Sequence, residues 1–240
     1  MPARDFAPTG KLRAAINLGN AVLAKKDEAS GEARGLSVDL AAELARRLGC
    51  ELELVLYNGA GKVVEAATAG AWDIAFLAVD PARAADIDFT QAYVIIEGAY
   101  LVRSTSPIAT VAEVDREGLR VATATGSAYD LFLSRELKKA TVVRAPGPLA
   151  VVDRFLAEGL DVAAGVKQQL EADARRVPGL RLLPGSFMTI NQAMALPKGR
   201  SEAFAYLRAF VEEMKASGFV AQALARHGIE GVGVAPPASV

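Results

Sequence analysis

The chain has 240 residues but only one cysteine, Cys50, and one histidine, His227. A single cysteine excludes an intramolecular disulfide, and the two residues cannot supply the four ligands of a Cys/His zinc site. A Ser-His-Asp or Cys-His catalytic site would have to use His227, which precedes a tail that we expect to fray. We therefore expect no metal, no cofactor and no such catalysis. Cys50 is interpreted as a small buried hydrophobe between a helix and a strand.

Neither sign of charge is in excess, because 27 Lys and Arg face 28 Asp and Glu and leave a net charge of −1. The strongly basic field of a nucleic-acid or anionic-membrane binder is therefore lacking. No run reaches the roughly 18 apolar residues of a membrane span, and the first ten residues hold no apolar stretch of signal-peptide type. Two interpretations stay open, a mature chain with a new Met or a protein that stays in the cytosol.

Aromatic residues are few, at 6%, whereas hydrophobic residues as a whole make up 52%. This composition is typical of a globular chain with a core of Ala, Val, Leu and Ile. Short apolar runs alternate with helical spacing, which predicts the βαβ pattern of a parallel sheet. The first series has predicted strands at 12–16, 51–57 and 73–79 and predicted helices at 38–48 and 63–69.

A polar break at 104–107 precedes a second α/β series. Its predicted strands are 119–124, 141–144, 161–165 and 180–183, and its predicted helices are 127–139, 149–158 and 168–176. An extended segment at 187–196, a helical region at 201–227 that breaks near Gly218, and a loose tail from Gly231 complete the chain. We predict two lobes, 1–103 with 193–240 and 104–192. Folds of this kind bind ligands at the carboxyl ends of their strands.

Residues 35–49 read Gly-Leu-Ser-Val-Asp-Leu-Ala-Ala-Glu-Leu-Ala-Arg-Arg-Leu-Gly. The segment resembles the signature of family 3 extracellular solute-binding proteins, the polar amino-acid receptors of bacterial ABC transporters, although Ser37 stands where an acid is usual. The plainer interpretation is an amphipathic helix with Ser37 as its N-cap. Further stretches that match the family in order are 69–73, 80–83 with Phe89 and Thr90, 118–127, 157–161 and 213–219.

This resemblance covers about residues 11–228 and implies the two-lobed α/β fold of type II periplasmic binding proteins. Each lobe would be a mixed sheet flanked by helices, with a hinged cleft between them. The hinge is expected where the chain crosses near 100–105 and 187–192. Hinge closure on a ligand is within the repertoire of such proteins.

The resemblance also implies two contacts to a ligand carboxylate. Arg83 would grip it, because a planar guanidinium pairs bidentately with a carboxylate. The alternative is an exposed surface Arg83 that pairs with Asp86 and contributes little. Ser127 and Ala128, which follow Gly126 and open a helix, would bind the carboxylate through free backbone N–H groups. The alternative there is an ordinary Ser N-cap, and both can hold together.

Several positions depart from the family pattern. Val166 stands where a carboxylate usually receives the α-ammonium, and Lys167 follows it. Asn20 lies at about the place of an aromatic residue that commonly stacks on the ligand. The stretch from Asp73 to Arg83 is shorter than usual, and Phe76, Leu77 and Ala78 replace polar residues in it. The exact pocket is therefore not given by the resemblance.

These departures predict a small carboxylate ligand that lacks the α-amino group or has it held differently. An unpaired ammonium buried beside Val166 would be costly. Asp80 is a candidate substitute partner for an ammonium, three residues before Arg83. Asn17, Asn20 and Gln192 are weaker candidates, because amides near a cleft suit polar ligands.

We predict the solute-binding component of an ABC transporter, which is not an enzyme. Its partners would be a small carboxylate-bearing solute and a membrane permease, with no nucleic acid, and the chain would be a monomer. The expected location is periplasmic, with cytoplasmic as the alternative. Two other functions remain open. One is a dehydratase-like cleft enzyme with Glu97 or Asp80 as general acid, and the other is a cytosolic or receptor-type sensor domain.

Overall fold

The chain forms two compact units in a computed structural model that describes residues 3–238. Unit 1 comprises the chain up to Ile95 and again from Asn191, and unit 2 comprises Ile96–Ile190. Strands β6 (Ile87–Arg103) and β11 (Met188–Pro197) each run from one unit into the other. The crossings thus fall at 95–96 and 190–191, within two long strands.

Unit 1 is a mixed sheet flanked by helices. Its other elements are α1 (Ala3–Phe6), β1 (Lys11–Asn17), β2 (Lys25–Lys26), β3 (Ala33–Arg34), α2 (Leu36–Leu48), β4 (Glu51–Tyr57), α3 (Ala60–Ala67), β5 (Ile74–Ala78), α7 (Ser201–Ala216), α8 (Phe219–Arg226) and β12 (Gly233–Val234). The strand order is β4-β1-β5-β11, with β1 parallel to β4 and β5 and with β11 antiparallel to β5. Strand β5 is buried at all five positions, as expected of a central strand covered on both faces.

Unit 2 repeats this construction on a smaller scale. Its elements are β7 (Arg120–Ala124), α4 (Ala128–Glu136), β8 (Thr141–Ala145), α5 (Val151–Ala157), β9 (Val162–Val166), α6 (Lys167–Arg176) and β10 (Leu180–Leu182). The strand order is β6-β9-β7-β8, where β7 is parallel to β8 and β9, and β6 is antiparallel to β9. The two series of predicted strands and helices are confirmed with shifts of a few residues at their ends.

The signature segment forms helix α2, and the packing of this helix explains the spacing of its leucines. Its buried leucines recur every fourth residue, at Leu36, Leu40, Leu44 and Leu48, and form one stripe against the core. The prediction of Ser37 as N-cap is wrong, because the N-cap is Gly35 and Ser37 is buried inside the first turn.

Gly35 has φ of +133°, a conformation that essentially only glycine adopts. A Cβ atom there would collide with the Leu23 carbonyl oxygen and lie 2.9 Å from the Ala24 Cα. The glycine that opens the signature is therefore required by the backbone conformation and by close packing.

Each unit has an Asp–Arg ion pair at the amino-terminal edge of its sheet. In unit 1 the Asp73 carboxylate accepts hydrogen bonds from the Arg13 backbone N–H at 3.0 Å and from Arg13 Nη2 at 2.9 Å. In unit 2 Asp161 accepts from the Arg120 backbone N–H at 2.8 Å, with Arg120 Nε at 3.8 Å. Each Arg also donates to a glycine carbonyl, that of Gly70 or of Gly159. The stretches Gly70–Asp73 and Gly159–Asp161 are thus structural and lie at the edge opposite to the carboxyl ends of β5 and β9.

The tail beyond Gly231 is not loose, which corrects the prediction. Strand β12 pairs with Val94 and Ile95 of β6, and Ala235 is buried. Lys215 Nζ donates to the Pro236 carbonyl at 2.9 Å, and the Ala238 N–H donates to Glu212 Oε2 at 3.1 Å. The tail therefore docks on unit 1 as an added strand, up to the end of the described residues.

Cys50 differs from its prediction, and His227 makes a contact for which there was no prediction. Cys50 is only partly buried, and its burial raises the pKa of the thiol. His227 contacts Asp39 Oδ2 through Nε2 at 2.9 Å and so ties α8 to α2.

Within residues 3–238, no helix is long and apolar enough to cross a membrane. In the same part of the chain, His, Cys, Asp and Glu form no group of three that could hold a metal ion.

Candidate functional site

Five of the candidate residues lie at the carboxyl edge of the unit 1 sheet. Because β1 and β5 are parallel and adjacent, Asn17 at the end of β1 and Asp80 and Arg83 after β5 share one edge. Gln192 of β11 lies opposite Ala78, the last residue of β5. The Asn20 N–H donates to the Asn17 carbonyl at 3.2 Å, which places Asn20 in the turn that follows β1.

Arg83 is a buried cation, with only 3% of its surface exposed. It begins a single 3-10 turn, and its Nη1 donates to the carbonyl of Ala78 at 2.8 Å. Burial lowers the pKa of Arg83 to about 10, and the nearby Asp80 opposes this shift. The guanidinium thus stays charged at neutral pH in a desolvated place. The alternative of an exposed surface Arg83 is wrong.

Asp80 fixes the loop that carries Arg83. Its Oδ1 accepts the Ala82 N–H at 2.9 Å, and its carbonyl accepts the N–H groups of Arg83 at 3.0 Å and Ala84 at 3.1 Å. This is the pattern by which an aspartate side chain closes a turn on its own backbone. Asp80 is 4% exposed, so its carboxylate has a structural task that competes with a role as an ammonium partner.

The three candidate amides differ in how they are engaged. Asn17 Oδ1 accepts the Gly19 N–H at 3.0 Å, and Gln192 is 7% exposed. Asn20 Oδ1 is buried, and no residue in the described part of the chain donates a hydrogen bond to it. A buried acceptor without a donor costs about 1–3 kcal/mol. A donor group on a bound solute would relieve this deficit at Asn20.

In contrast to these polar positions, Phe76 and Leu77 of β5 are buried in apolar clusters, and Ala78 is buried as well. Phe76 packs edge-on against Tyr93 with ring centroids 6.1 Å apart. Their departure from the family pattern therefore belongs to the core of unit 1. Val79 is 45% exposed and is the apolar side chain next to Asp80.

In unit 2, Ser127 and Ala128 lie at the carboxyl end of β7, at the start of α4. Ser127 is the N-cap, and its Oγ accepts the Asp130 N–H at 3.0 Å. Two of the backbone N–H groups that were predicted to be free are engaged, because that of Ser127 donates to the Ala124 carbonyl at 3.0 Å and that of Gly126 donates to Asp130 Oδ2 at 2.9 Å. The first-turn N–H groups of Ala128 and Tyr129 still have no acceptor within the helix, as at any helix start.

Asp130 thus occupies part of the predicted anion site with a carboxylate of the protein itself. Arg144 Nε lies 2.9 Å from Asp130 Oδ1 and 3.2 Å from Oδ2, and the Asp130 side chain is 6% exposed. A buried carboxylate held by a guanidinium and a backbone N–H is not readily displaced. The remaining donors at this helix start are the two first-turn N–H groups and the Ser127 hydroxyl.

Sequence reasoning missed the ion pair between Glu97 and Lys167. The register Gly98–Val166 between the antiparallel strands β6 and β9 brings these two side chains opposite each other, although 70 positions separate them in the chain. Lys167 Nζ lies 2.7 Å from Glu97 Oε2, and the carboxylate raises the pKa of Lys167. No local sequence motif predicts a contact that depends on the pairing of strands distant in the chain.

Comparison with known proteins gives one family and a common fold. Residues 13–229 match the family model described as bacterial extracellular solute-binding proteins, family 3. None of the curated proteins matches the chain in sequence.

Among solved structures, three similar ones are a mutant of ArgBP from T. maritima, a solute receptor for L-cysteine of Neisseria gonorrhoeae, and a histidine kinase sensor domain with similarity to periplasmic binding proteins. The first is 21% identical with a TM-score of 0.80, covering 94% of this chain and 98% of that one. The second is 21% identical with a TM-score of 0.81 and covers 95% of each chain. The third is 21% identical with a TM-score of 0.81, covering 94% and 98%. At this identity the likeness shows the fold, that of the type II periplasmic binding proteins.

Proposed function

Because the chain belongs to family 3 of the bacterial extracellular solute-binding proteins, we propose that it is a solute receptor for a small carboxylate-bearing molecule. It would act outside the cytoplasm and pass its ligand to the permease of an ABC transporter. The observation that carries the ligand class is the buried cation Arg83 at the carboxyl edge of unit 1. The L-cysteine that is named as the ligand of one similar receptor is such a molecule.

Arg83 has the chemistry that a carboxylate receptor needs. A guanidinium presents five N–H donors in a rigid plane, and the bond to the Ala78 carbonyl fixes the side chain through Nη1. A carboxylate can then accept a charge-assisted pair, which is strong in a place that excludes water. The lowered pKa of Arg83 reflects the same desolvation, so a bound anion would restore part of what burial removes.

Other candidates would complete the recognition. Ser127 and the backbone N–H of Ala128 are proposed as a second contact to the carboxylate, since they are donors at a helix start. Asn20 Oδ1 is proposed to accept a hydrogen bond from a ligand N–H or O–H group, because it lacks a donor within the described residues. Closure of the lobes on the ligand remains part of the proposal.

The enzyme alternative finds less support. A general acid must hold a proton and give it to the substrate. Asp80 instead accepts a backbone N–H in its own turn, and Glu97 accepts a hydrogen bond from Lys167 Nζ at 2.7 Å. Both carboxylates are thus engaged as acceptors. We retain the binding function over the dehydratase-like one on this observation.

Thermal unfolding with a panel of the twenty amino acids and their amino-free analogues tests the proposal. A ligand present at 100 times its dissociation constant adds about 2.7 kcal/mol, which raises the melting temperature of a chain this size by about 5–10 °C. For Arg83→Ala we expect an affinity loss of about a hundredfold, the equivalent of about 2.7 kcal/mol, measured by titration calorimetry. For Arg83→Lys we expect a somewhat smaller loss of affinity, because lysine keeps the positive charge but lacks the planar fork of donors.

Arg208→Ala is the matched control, since Arg208 is an exposed guanidinium of the same unit. Circular dichroism of each variant verifies that it is folded at the titration temperature. Equal ligand affinity in the native chain and in folded Arg83→Ala would overturn the assignment of the carboxylate contact. The absence of any thermal shift with the whole panel would overturn the ligand class.

A further inference from the structure

Strand β6 is held by a different partner on each side of the border between the two units. The border falls between Ile95 and Ile96. Up to Ile95, β6 pairs antiparallel with β12 of the C-terminal tail, and from Gly98 onward it pairs antiparallel with β9. The two residues between these pairings are Ile96 and Glu97, where the chain passes from unit 1 into unit 2.

The backbone on the unit 2 side of this border is firmly fixed. Gly98 lies opposite Val166 of β9, and its carbonyl accepts the Phe187 N–H at 2.9 Å. A Cβ atom at Gly98 would lie 2.7 Å from Met188 Cγ, so the strand is tightly packed as well as paired. Strand β6 therefore belongs rigidly to unit 2 from Gly98 onward.

On the unit 1 side, the backbone at Ile95 depends on the tail. Strand β12 has only two residues, both exposed, and its Gly233 lies opposite Ile95. The Val94 side chain is fully buried in the core of unit 1, whereas Ile95 is only half-buried. A short exposed strand opens at a low free energy, unless the segment that carries it is held elsewhere.

The tail is held elsewhere, by a buried ion pair in α7. The Lys215 side chain is 4% exposed, and its Nζ lies 2.7 Å from Glu212 Oε1 and donates to the Pro236 carbonyl at 2.9 Å. Glu212 Oε2 accepts the Ala238 N–H at 3.1 Å, and Ala235 between these contacts and β12 is 5% exposed. A buried pair of this kind is costly to break, because each charge would be left without its partner. The anchor therefore keeps β12 in place on β6.

We infer that the C-terminal tail is a brace, which keeps Ile95 in unit 1 and so confines the bend between the units to Ile96 and Glu97. Hinges of two-lobed proteins are a few residues that absorb the change in φ and ψ. A shorter free segment leaves fewer arrangements of the lobes, so the brace lowers the conformational entropy that closure removes. The inference rests on the lobe closure that belongs to the proposed function, and it goes beyond the ligand.

Pulsed electron paramagnetic resonance between two nitroxide labels tests the brace without any ligand. The labels are placed on Glu202→Cys in α7 of unit 1 and on Arg175→Cys in α6 of unit 2, both exposed positions, in a chain that also carries Cys50→Ser. The measured quantity is the width of the distance distribution between the two labels, which reports how widely the units move against each other.

Two tail variants remove the brace in different ways. One lacks residues 233–240, and the other is Ala235→Pro, which has no N–H to donate to the Tyr93 carbonyl at 3.1 Å. Both should broaden the distribution by about a fifth or more, because the spread of a free segment grows as the square root of its length, which rises from two residues to at least three. Glu230→Pro is the matched control, since it places a proline at an exposed residue ahead of β12, and it should leave the width unchanged.

The fluorescence of the buried Trp72 verifies that unit 1 is folded in each variant. Equal widths in the native chain and in both folded tail variants would overturn the brace. An equal broadening in Glu230→Pro would overturn it as well, because the effect would then be a general loosening. Either result leaves the receptor function standing, since that function is decided separately by the ligand panel and by Arg83→Ala.

Discussion

Removal of the Asp73 carboxylate should destabilise unit 1 far more than removal of Asp161 destabilises unit 2, although the two residues occupy equivalent places. The Asp73 side chain is completely buried, and the Arg13 side chain paired with it is 19% exposed. The Asp161 side chain is 34% exposed, and that of its partner Arg120 is 46% exposed. The residue type, the backbone contact and the sheet edge are the same, so the two sites differ in burial and in the side-chain hydrogen bonds that Asp73 accepts.

The magnitudes follow from the hydrogen bonds that each variant leaves unmade. Asp73→Ala removes the acceptor of the Arg13 backbone N–H and of its Nε and Nη2, and also the contact of Arg200 Nη1 at 3.3 Å. Breaking a buried pair by deleting one partner costs about 3–5 kcal/mol. Asp161→Ala frees groups that water can reach, so its loss should be about 0.5–1.5 kcal/mol.

Urea unfolding can measure the two effects separately. The chain has a single tryptophan, Trp72, which is fully buried in unit 1 and donates from Nε1 to the Val63 carbonyl at 2.8 Å. Its fluorescence therefore reports the unfolding of unit 1, whereas far-UV circular dichroism follows both units. Asp73→Asn serves as an intermediate variant, since it keeps an acceptor and loses the charge.

We expect the fluorescence midpoint to fall strongly for Asp73→Ala, less for Asp73→Asn, and hardly at all for Asp161→Ala. Equal losses for the two alanine variants would refute the reasoning that burial sets the value of the pair. Ligand affinity should be unchanged in both folded variants, because both residues lie at the edge opposite to the candidate site.

Two further predictions concern helix α2. Gly35→Ala should destabilise the chain by about 3 kcal/mol or more, and Gly49→Ala at the other end of the helix by about 1–2 kcal/mol, because only the first adds a steric collision to an unfavourable φ; equal losses in urea unfolding would contradict this. Hydrogen bonds from Arg46 and Arg47 lower the pKa of Glu43 from 4.5 to about 2. The folded state therefore resists protonation, and this stabilisation is present above pH 4.5 and is lost as the pH falls toward 2. Glu43→Gln should flatten the acid limb of the stability curve over that range, and an unchanged slope would speak against the shift.

Much of the fold could be predicted because it depends on local patterns. Alternating leucines and glutamates predict strand β4, an unbroken apolar run predicts β5, and both strands are where expected. The prediction of a loose tail is wrong because Gly233–Val234 gives little local signal, and its strand exists only through pairing with β6. Long-range pairing of this kind leaves almost no trace in the segment itself.

The site was less accessible to sequence reasoning, for two different reasons. Ser127 as the N-cap could be predicted, since Ser127 followed three residues later by Asp130 is a capping pattern, but that pattern directs the acid to the Ser127 N–H and not to the Gly126 N–H that it binds. The contact between Glu97 and Lys167 could not, because it depends on the register of β6 against β9. A helix cap can be predicted from neighbouring residues in the sequence, whereas a side-chain contact between paired strands cannot.

The residues that identify the family and those that would choose a ligand lie in different parts of each unit. Gly35 opens the signature for steric reasons, and Asp73 and Asp161 close the amino-terminal edges of the sheets. At the carboxyl edge of unit 1, Arg83 supplies a buried cation. At that of unit 2, Val166 stands where the family pattern has a carboxylate, and Glu97 pairs with Lys167 next to it. Because packing at one edge does not constrain side chains at the other, the fold can persist while the ligand changes. Substitutions at Asp73 should therefore lower stability and leave the ligand affinity of the folded chain nearly unchanged.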